Sequence, residues 1–417
     1  MEKDIRYFIK SDKIDYIISL FLGMYLFGFF INSLTFIKYI GLYGAILFFV
    51  IGLFYDRKNY YKVYYDNNKI LFFALLLFIF SIILSILFAY SDVNNSIREF
   101  RRDFLNISIF ILITLFIRKK NFLFYIFIYS IMGAFIFDIV SNLYEYYIHN
   151  KNLNFSIRLN RNFANYFEII YPFSLSFLFI LKNRLKYMFI IIIFLGLFEL
   201  VLTGARGAWI SVISETFIFF ILLMILKKEY IKTILISFIF IMVGNFLIFN
   251  YMYKHSSFIK NKINQGLTYT SGRDEIIKTR LPIFLKHGNF FIGIGGPDNY
   301  QYNKFLNTYK AKHIYGYNTK IGYHYLSDEP FLLQIFYKEG IIGVLTFLFL
   351  SGVFLWKGFF YLKSYSKLEY KIFVVSIISS FVGYYLIRGL VEGRELKYIV
   401  LFIGLYLFTK ENSVKNS

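Results

Sequence analysis

Thr270-Ser-Gly-Arg-Asp-Glu275, Gly293-Ile-Gly-Gly-Pro297 and Ser327-Asp-Glu-Pro330 all fall in one polar interruption, from about Tyr253 to Pro330, of an otherwise apolar chain. The run that follows, Phe331 to Gly343, closes on Glu339-Gly-Ile-Ile-Gly343. Elsewhere polar stretches are short, and apolar stretches approach the roughly 20 residues that cross a bilayer core as helix. Hydrophobic residues make up 58% of the sequence, 55 residues are Phe, and the mean hydropathy is +0.56. A soluble core cannot take up that much apolar surface. The pattern predicts an all-α polytopic membrane protein with about twelve transmembrane helices. It divides into spans over 1–252, an extracytoplasmic segment with short helices over 253–330, and further spans over 331–417.

The predicted spans start near Tyr16, Tyr39, Ile70, Leu105, Leu123, Ala164, Tyr187, Ala208, Thr233, Phe331, Ile372 and Tyr398. The first is too long for a signal-peptide core and lacks a small-residue cleavage site, so it reads as a span. Alternate connections are basic: Lys3 to Lys13, Arg57 to Lys69, Arg118 to Lys120, Lys182 to Lys186, Lys227 to Lys232, Lys357 to Lys371, and the tail with Lys410 and Lys415. The positive-inside rule places these in the cytoplasm, with both termini inside and the long polar stretch outside. It also accounts for about half of the lysines and arginines behind the net charge of +21, so that charge does not call for nucleic acid.

The outward side carries Arg98, Arg101, Arg102, Arg158, Arg161, Arg206, Arg273, Arg280, Arg388 and Arg394, and arginine predominates in several of its segments where the cytoplasmic connections mostly use lysine. A guanidinium grips phosphate through a planar fork, so this outward cluster points to an anionic ligand at the lipid surface. Headgroup contact or snorkelling at helix ends explains any single one of them as well. The sharpest short signal is Thr203-Gly-Ala-Arg-Gly-Ala-Trp209, where Arg206 stands between two apolar runs with Gly204 and Gly207 beside it. An ionisable residue there is costly and reads first as functional; an interfacial anchor is the alternative.

Arg273 opens an amphipathic run to His287, against the dipole preference at a helix start, which suggests another partner. Gly293 to Pro297 has neither a Walker pattern nor a dinucleotide fingerprint and reads as a turn that can approach a ligand. Asp328 and Glu329 precede a helix start, where they suit either capping or general-base chemistry; His324 is a second candidate base and His313 a third. The five histidines have no metal-ligand spacing, so neither metal nor other cofactor is expected. There is no cysteine and hence no thiol chemistry.

Taken in order, these segments resemble the O-antigen ligase and polymerase superfamily of membrane glycosyltransferases. Thr203 to Trp209 is similar to its T-G-S-R-G-A-W segment, and Asn162-Phe-Ala-Asn165 to its N-x-x-A. Ser271-Gly-Arg273 with Gly293-Ile-Gly295 resembles its S-G-R … G-x-G block, and Phe331 to Gly343 its L-x-x-L-x-E-x-G-x-x-G. The resemblance covers Asn162 to Gly343 and implies a GT-C-like bundle. It also implies transfer of a glycan from undecaprenyl diphosphate to an acceptor hydroxyl without metal or nucleotide. The acceptor is lipid A–core in ligases and a second lipid-linked glycan in polymerases, and membrane lipids are the remaining partners. By resemblance, Arg206 and Arg273, joined by Arg388, hold the donor diphosphate, while Gly204, Gly207, Arg161 and Asp328 support the site. Ligases carry a histidine eleven residues before the first glycine of G-x-x-G; counting back from Gly340 gives Glu329. Glu329 or His324 therefore takes the base role, and a ligase is expected, with a polymerase as the alternative. A flippase would place charge along an internal cavity and show internal repeats; here the charge concentrates at outer helix ends.

Overall fold

The computed structural model describes residues 13–55, 69–117, 119–150, 158–181, 185–265, 272–311, 316–320, 322–326, 329–364 and 367–414. Thr270, Ser271, His313 and Asp328 lie outside them. Each of the twelve apolar runs forms a helix, because with no water in a bilayer core the backbone must satisfy its own polar groups. They are α1 (Lys13–Phe29), α2 (Thr35–Tyr55), α3 (Lys69–Leu87), α5 (Asn106–Phe116), α6 (Lys120–Asn150), α7 (Arg161–Ile180), α8 (Leu185–Leu202), α9 (Arg206–Leu226), α10 (Ile231–His255), α14 (Phe331–Leu362), α15 (Leu368–Phe381) and α16 (Lys397–Val414). Short helices fill the connections: α4 (Val93–Phe100), α11 (Ser257–Asn264), α12 (Arg273–His287) and α13 (Tyr300–Thr308). Among the described residues, eight helical stretches are long and apolar enough to cross a membrane, with two shorter apolar helices beside them. The chain is an all-α polytopic membrane protein.

Two spans form the axis of the bundle. The windows of α7 and of the helix beginning at Leu368 are each 83% buried, whereas that of α10 is 17% buried and lies at the periphery. Ser376 and Ser380 of α15 donate to the carbonyls of Pro172 and Ile169 in α7, at 2.9 Å each. Such bonds between helices, and small residues that allow close approach, hold membrane bundles where lipid removes the hydrophobic drive. Gly41 of α2 illustrates the second device: a Cβ there would lie 2.4 Å from the Tyr25 backbone nitrogen of α1.

The polar stretch has its own small core, with Phe284, Tyr302, Phe305, Leu306, Leu326 and Tyr337 packed together. A two-residue hairpin, β1 (Tyr317–Asn318) with antiparallel β2 (Tyr323–His324), lies beside it. Gly293 to Pro297 docks onto α14, and Gly340 shows why. At φ 68°, ψ −167° Gly340 breaks the helix. The amides of Ile341 and Ile342 then donate to the carbonyls of Phe290 and Phe291, while the amides of Ile294 and Gly295 donate to the carbonyls of Tyr337 and Lys338. The glycine-rich turn thus fills the gap in the ladder of α14. The two motifs at Gly293 and Gly340, far apart in sequence, form one joint.

Candidate functional site

Three helices begin with arginine at the same place. Arg161 is the first residue of α7, Arg206 of α9 and Arg273 of α12. All three line one cavity of about 300 Å³, together with Arg158, Lys262, Gly204, Gly207, Ile276, Gly316 and Glu392. Helix N-termini carry positive partial charge and unsatisfied N–H groups. Guanidiniums placed there gain nothing from their own helices, so the cavity adds side-chain cations to dipole ends of the same sign.

Local sequence sets this geometry. Gly204, at φ +64°, turns the chain sharply between α8 and α9, and a Cβ on it would meet the Phe258 ring at 2.5 Å. Arg158 is fixed through its Nε, which donates to the Thr203 carbonyl at 2.8 Å. Gly207 leaves room for the last-loop carboxylate: a Cβ there would already touch Glu392 Oε1 at 3.4 Å and Arg388 Cγ at 3.5 Å. Along α12, Arg273, Ile276 and Arg280 fall on one face, with spacing i, i+3 and i+7.

Glu392 is the single carboxylate among the described residues lining this cavity. Its Oε1 accepts from Arg161 Nη2 at 2.6 Å and Arg273 Nη2 at 2.7 Å. Its Oε2 accepts from Arg388 (Nε 3.0 Å, Nη2 2.8 Å) and Arg394 Nη2 (2.9 Å). Burial alone would raise its pKa, but Arg388, Arg161, Arg394 and Arg273 hold it well below the ordinary carboxylate range. Behind it Glu168 of α7 pairs with Arg388 Nη1 at 2.6 Å and Arg394 Nη1 at 2.8 Å, and Asn165 accepts from Arg388 Nη2 at 2.8 Å. Arg388 is 1% exposed, with Glu168, Glu392 and Asn165 around its fork. The structure therefore places Arg388 behind the cavity wall, where it holds Glu392. The cations themselves are crowded: burial, then Arg206, Arg158 and Arg161, push the Lys262 ammonium below its ordinary value, and burial with Arg161 does the same to Arg158.

Glu329 and His324 belong to a second cluster, one layer away. Glu329 is fully buried; Tyr302 donates to its Oε2 at 2.9 Å, and Arg280 Nη1 lies 3.4 Å from its Oε1. Arg280 also donates to the Tyr302 oxygen at 2.6 Å and the Tyr325 carbonyl at 3.0 Å. Burial, then Glu329, raises the Tyr302 pKa well above its usual value, which keeps it a donor. Gly316 stands between the two clusters: it lines the cavity, and a Cβ on it would meet Arg280 Nη2 at 2.7 Å. His324 is 1% exposed, and neither ring nitrogen has a hydrogen-bond partner among the described residues. Neither candidate base is on the cavity wall.

Burial, then Arg280, pushes His324 from 6.5 down to about 4. A lowered folded pKa means that its contribution to stability is complete above pH 6.5 and is lost as pH falls toward 4. Thermal midpoints of His324→Gln between pH 7.5 and 4.5 are expected to fall less steeply than those of the parent; equal slopes would remove His324 from the acid response.

Residues 191–348 match a family model described as O-antigen ligase. Over this region the chain is similar to the O-antigen ligase and polymerase superfamily. No curated protein matches the chain. The matched region runs from α8 into α14 and includes Arg206, Lys262, Arg273 and Gly316, whereas Arg158, Arg161 and Glu392 reach the cavity from outside it. Members of this superfamily are membrane glycosyltransferase-like enzymes.

Two participants, Lys262 and Glu392, escaped the sequence reading. Lys262 looks like one more surface lysine of a short amphipathic helix. Glu392 did leave a signal, since Val391-Glu-Gly-Arg394 sets a carboxylate four residues after Arg388 and two before Arg394.

Proposed function

We propose that this chain is an O-antigen ligase-type glycosyltransferase. In this reading it moves a glycan from undecaprenyl diphosphate to a sugar hydroxyl of lipid A–core, at the outer face of the bacterial inner membrane. One observation carries it: three helices that each start with arginine meet at a cavity sized for a diphosphate and lined by five cations against one carboxylate. Helix N-termini and arginine forks are the two commonest means by which proteins bind phosphate, and here they coincide. In the step proposed, the acceptor oxygen bonds to the anomeric carbon, the bond from that carbon to the phosphate oxygen breaks, and the hydroxyl proton passes to solvent water. The carrier diphosphate leaves with the bonding electrons. Fixed cations beside that developing charge lower the barrier, because they need no reorganisation when it forms. The chain's own guanidiniums supply the charge, so the step is written without a metal. Both termini lie in the cytoplasm in this reading, and the cavity faces the periplasm.

Glu329, standing where ligases carry a histidine, favours one second reading, a polymerase that joins carrier-linked repeats. Analysis of glycolipids from a strain lacking the gene separates the two. Core without O-chains, with long polymer kept on the carrier, is the ligase result. Core bearing single repeats is the polymerase result. Unchanged surface and carrier-linked glycans together would refute both.

A further inference from the structure

A transferase that works between two membrane-anchored substrates needs a second approach, and the cavities supply one. A groove of about 430 Å³ is lined by Arg98, Arg101, Arg102, Tyr39 and Tyr43. It shares Tyr39, Glu99 and Arg102 with a larger cavity of about 570 Å³, so the two adjoin. The larger cavity ends on Gly393, Arg394 and Glu395. Arg394 is paired at 2.9 Å with Glu392, which lines the arginine cavity on its other side. One ion pair therefore separates the end of this path from the cavity assigned above to the donor.

The chemistry of the groove indicates what enters. Arg98, Arg101 and Arg102 lie on one face, one turn apart, at the junction of α4 with the π-helical turn Arg101–Leu105. Single π turns occur often at functional sites. Arg102 pairs with Glu99, but among the described residues Arg98 and Arg101 make no ion pair. Tyr39 and Tyr43 stack one turn apart, their ring centroids 6.0 Å from each other. Around them Phe36 is 75% exposed, Leu47 57% and Leu105 46%, which puts the groove where an apolar belt meets the polar end of the bundle. At that depth a membrane lipid presents its phosphate, and arginine is the side chain that holds it. A neutral soluble sugar would need neither the cations nor the belt.

We propose that this groove binds the phosphate of a lipid-anchored acceptor and that the cavity behind it takes the acceptor's sugars. The proposal rests on the transferase reading and adds the site that holds the acceptor's lipid phosphate, apart from the donor cavity. Both lipid A–core and a carrier-linked glycan have that chemistry, and the test distinguishes them.

The full-length protein is purified in micelles, and native mass spectrometry counts bound equivalents of two probes, undecaprenyl diphosphate and monophosphoryl lipid A. The wild type is compared with Arg98→Gln/Arg101→Gln, exposed positions whose neutralisation leaves the core intact. The expected result is that the double variant binds one probe equivalent at least about tenfold more weakly, as the loss of two charge-assisted contacts implies. It keeps one equivalent of undecaprenyl diphosphate. Loss of the lipid A equivalent marks a ligase-type acceptor, and loss of a second undecaprenyl diphosphate equivalent marks a carrier-linked one; either supports the proposal. Wild-type retention of both probes overturns it, as does an equal loss in a Lys227→Gln/Lys228→Gln control. The donor reading is scored separately, by whether Arg206→Lys/Arg273→Lys weakens the equivalent that the groove variant keeps.

Discussion

Replacing Arg206 by lysine is expected to lower glycan transfer by about 10²-fold or more, although the charge at the cavity is unchanged. The argument is geometric. Arg206 opens α9 directly after the Gly204 turn, so its guanidinium starts from a fixed backbone position on the cavity wall. A lysine reaches the same space as a point charge on a flexible stem and cannot form two parallel bonds to one phosphate group. Arg273→Lys should lose at least as much, since Arg273 also donates to Glu392 at 2.7 Å and its replacement loosens both partners. The measurement is the initial transfer rate in membrane vesicles, with the amount of folded protein checked by size exclusion. Full activity in both lysine variants would show that only net charge matters there, and the clamp would have to be abandoned. Equal loss through a raised donor KM alone would make the arginines a docking site that does not stabilise the leaving group.

How legible this was depends on the range of the interaction that decides each feature. The twelve helices are local: each apolar run is long enough to require helix, and each begins within several residues of the predicted start. Arg206 and Arg273 were visible for a similar reason, because a charge beside a span or at the wrong end of a helix breaks a local rule. The break at Gly340 was not. The sequence shows glycines at 293, 295, 296, 340 and 343, but the backbone bonds that tie 290–295 to 337–342 are long-range, and nothing in either segment names its partner. Arg388 illustrates the same limit. As an isolated outward arginine it suggested diphosphate binding; only the packed bundle shows Glu168 of α7 and Glu392 enclosing it. Glu329 read as a capping or general-base carboxylate at a helix start; in the fold α12 and α13 cover it and bring Arg280 and Tyr302 into contact.

Glu392 carries the second large prediction, with two effects of opposite sign. It accepts from four arginines while 4% exposed, so Glu392→Gln leaves buried guanidinium charge uncompensated, with Glu168 the remaining carboxylate on Arg388 and Arg394. Removing one partner of a buried ion pair costs about 3–5 kcal/mol, and a drop in thermal stability of that order is expected in detergent. Its pH dependence follows from the lowered pKa: the contribution is complete above the ordinary carboxylate range and is lost as pH falls through the folded value. In the cavity, however, Glu392 competes for Arg161 and Arg273, the groups an incoming diphosphate would use. The variant should therefore bind inorganic pyrophosphate more tightly than the parent, and saturating pyrophosphate should recover more stability in the variant than in the parent by mass action. Calorimetric titration together with thermal scans at pH 7.5 reads both effects. Lower stability without tighter pyrophosphate binding would make Glu392 a structural counter-ion whose arginines do not face the ligand. If both appear, the carboxylate holds the arginine site assembled while empty and yields it to the diphosphate.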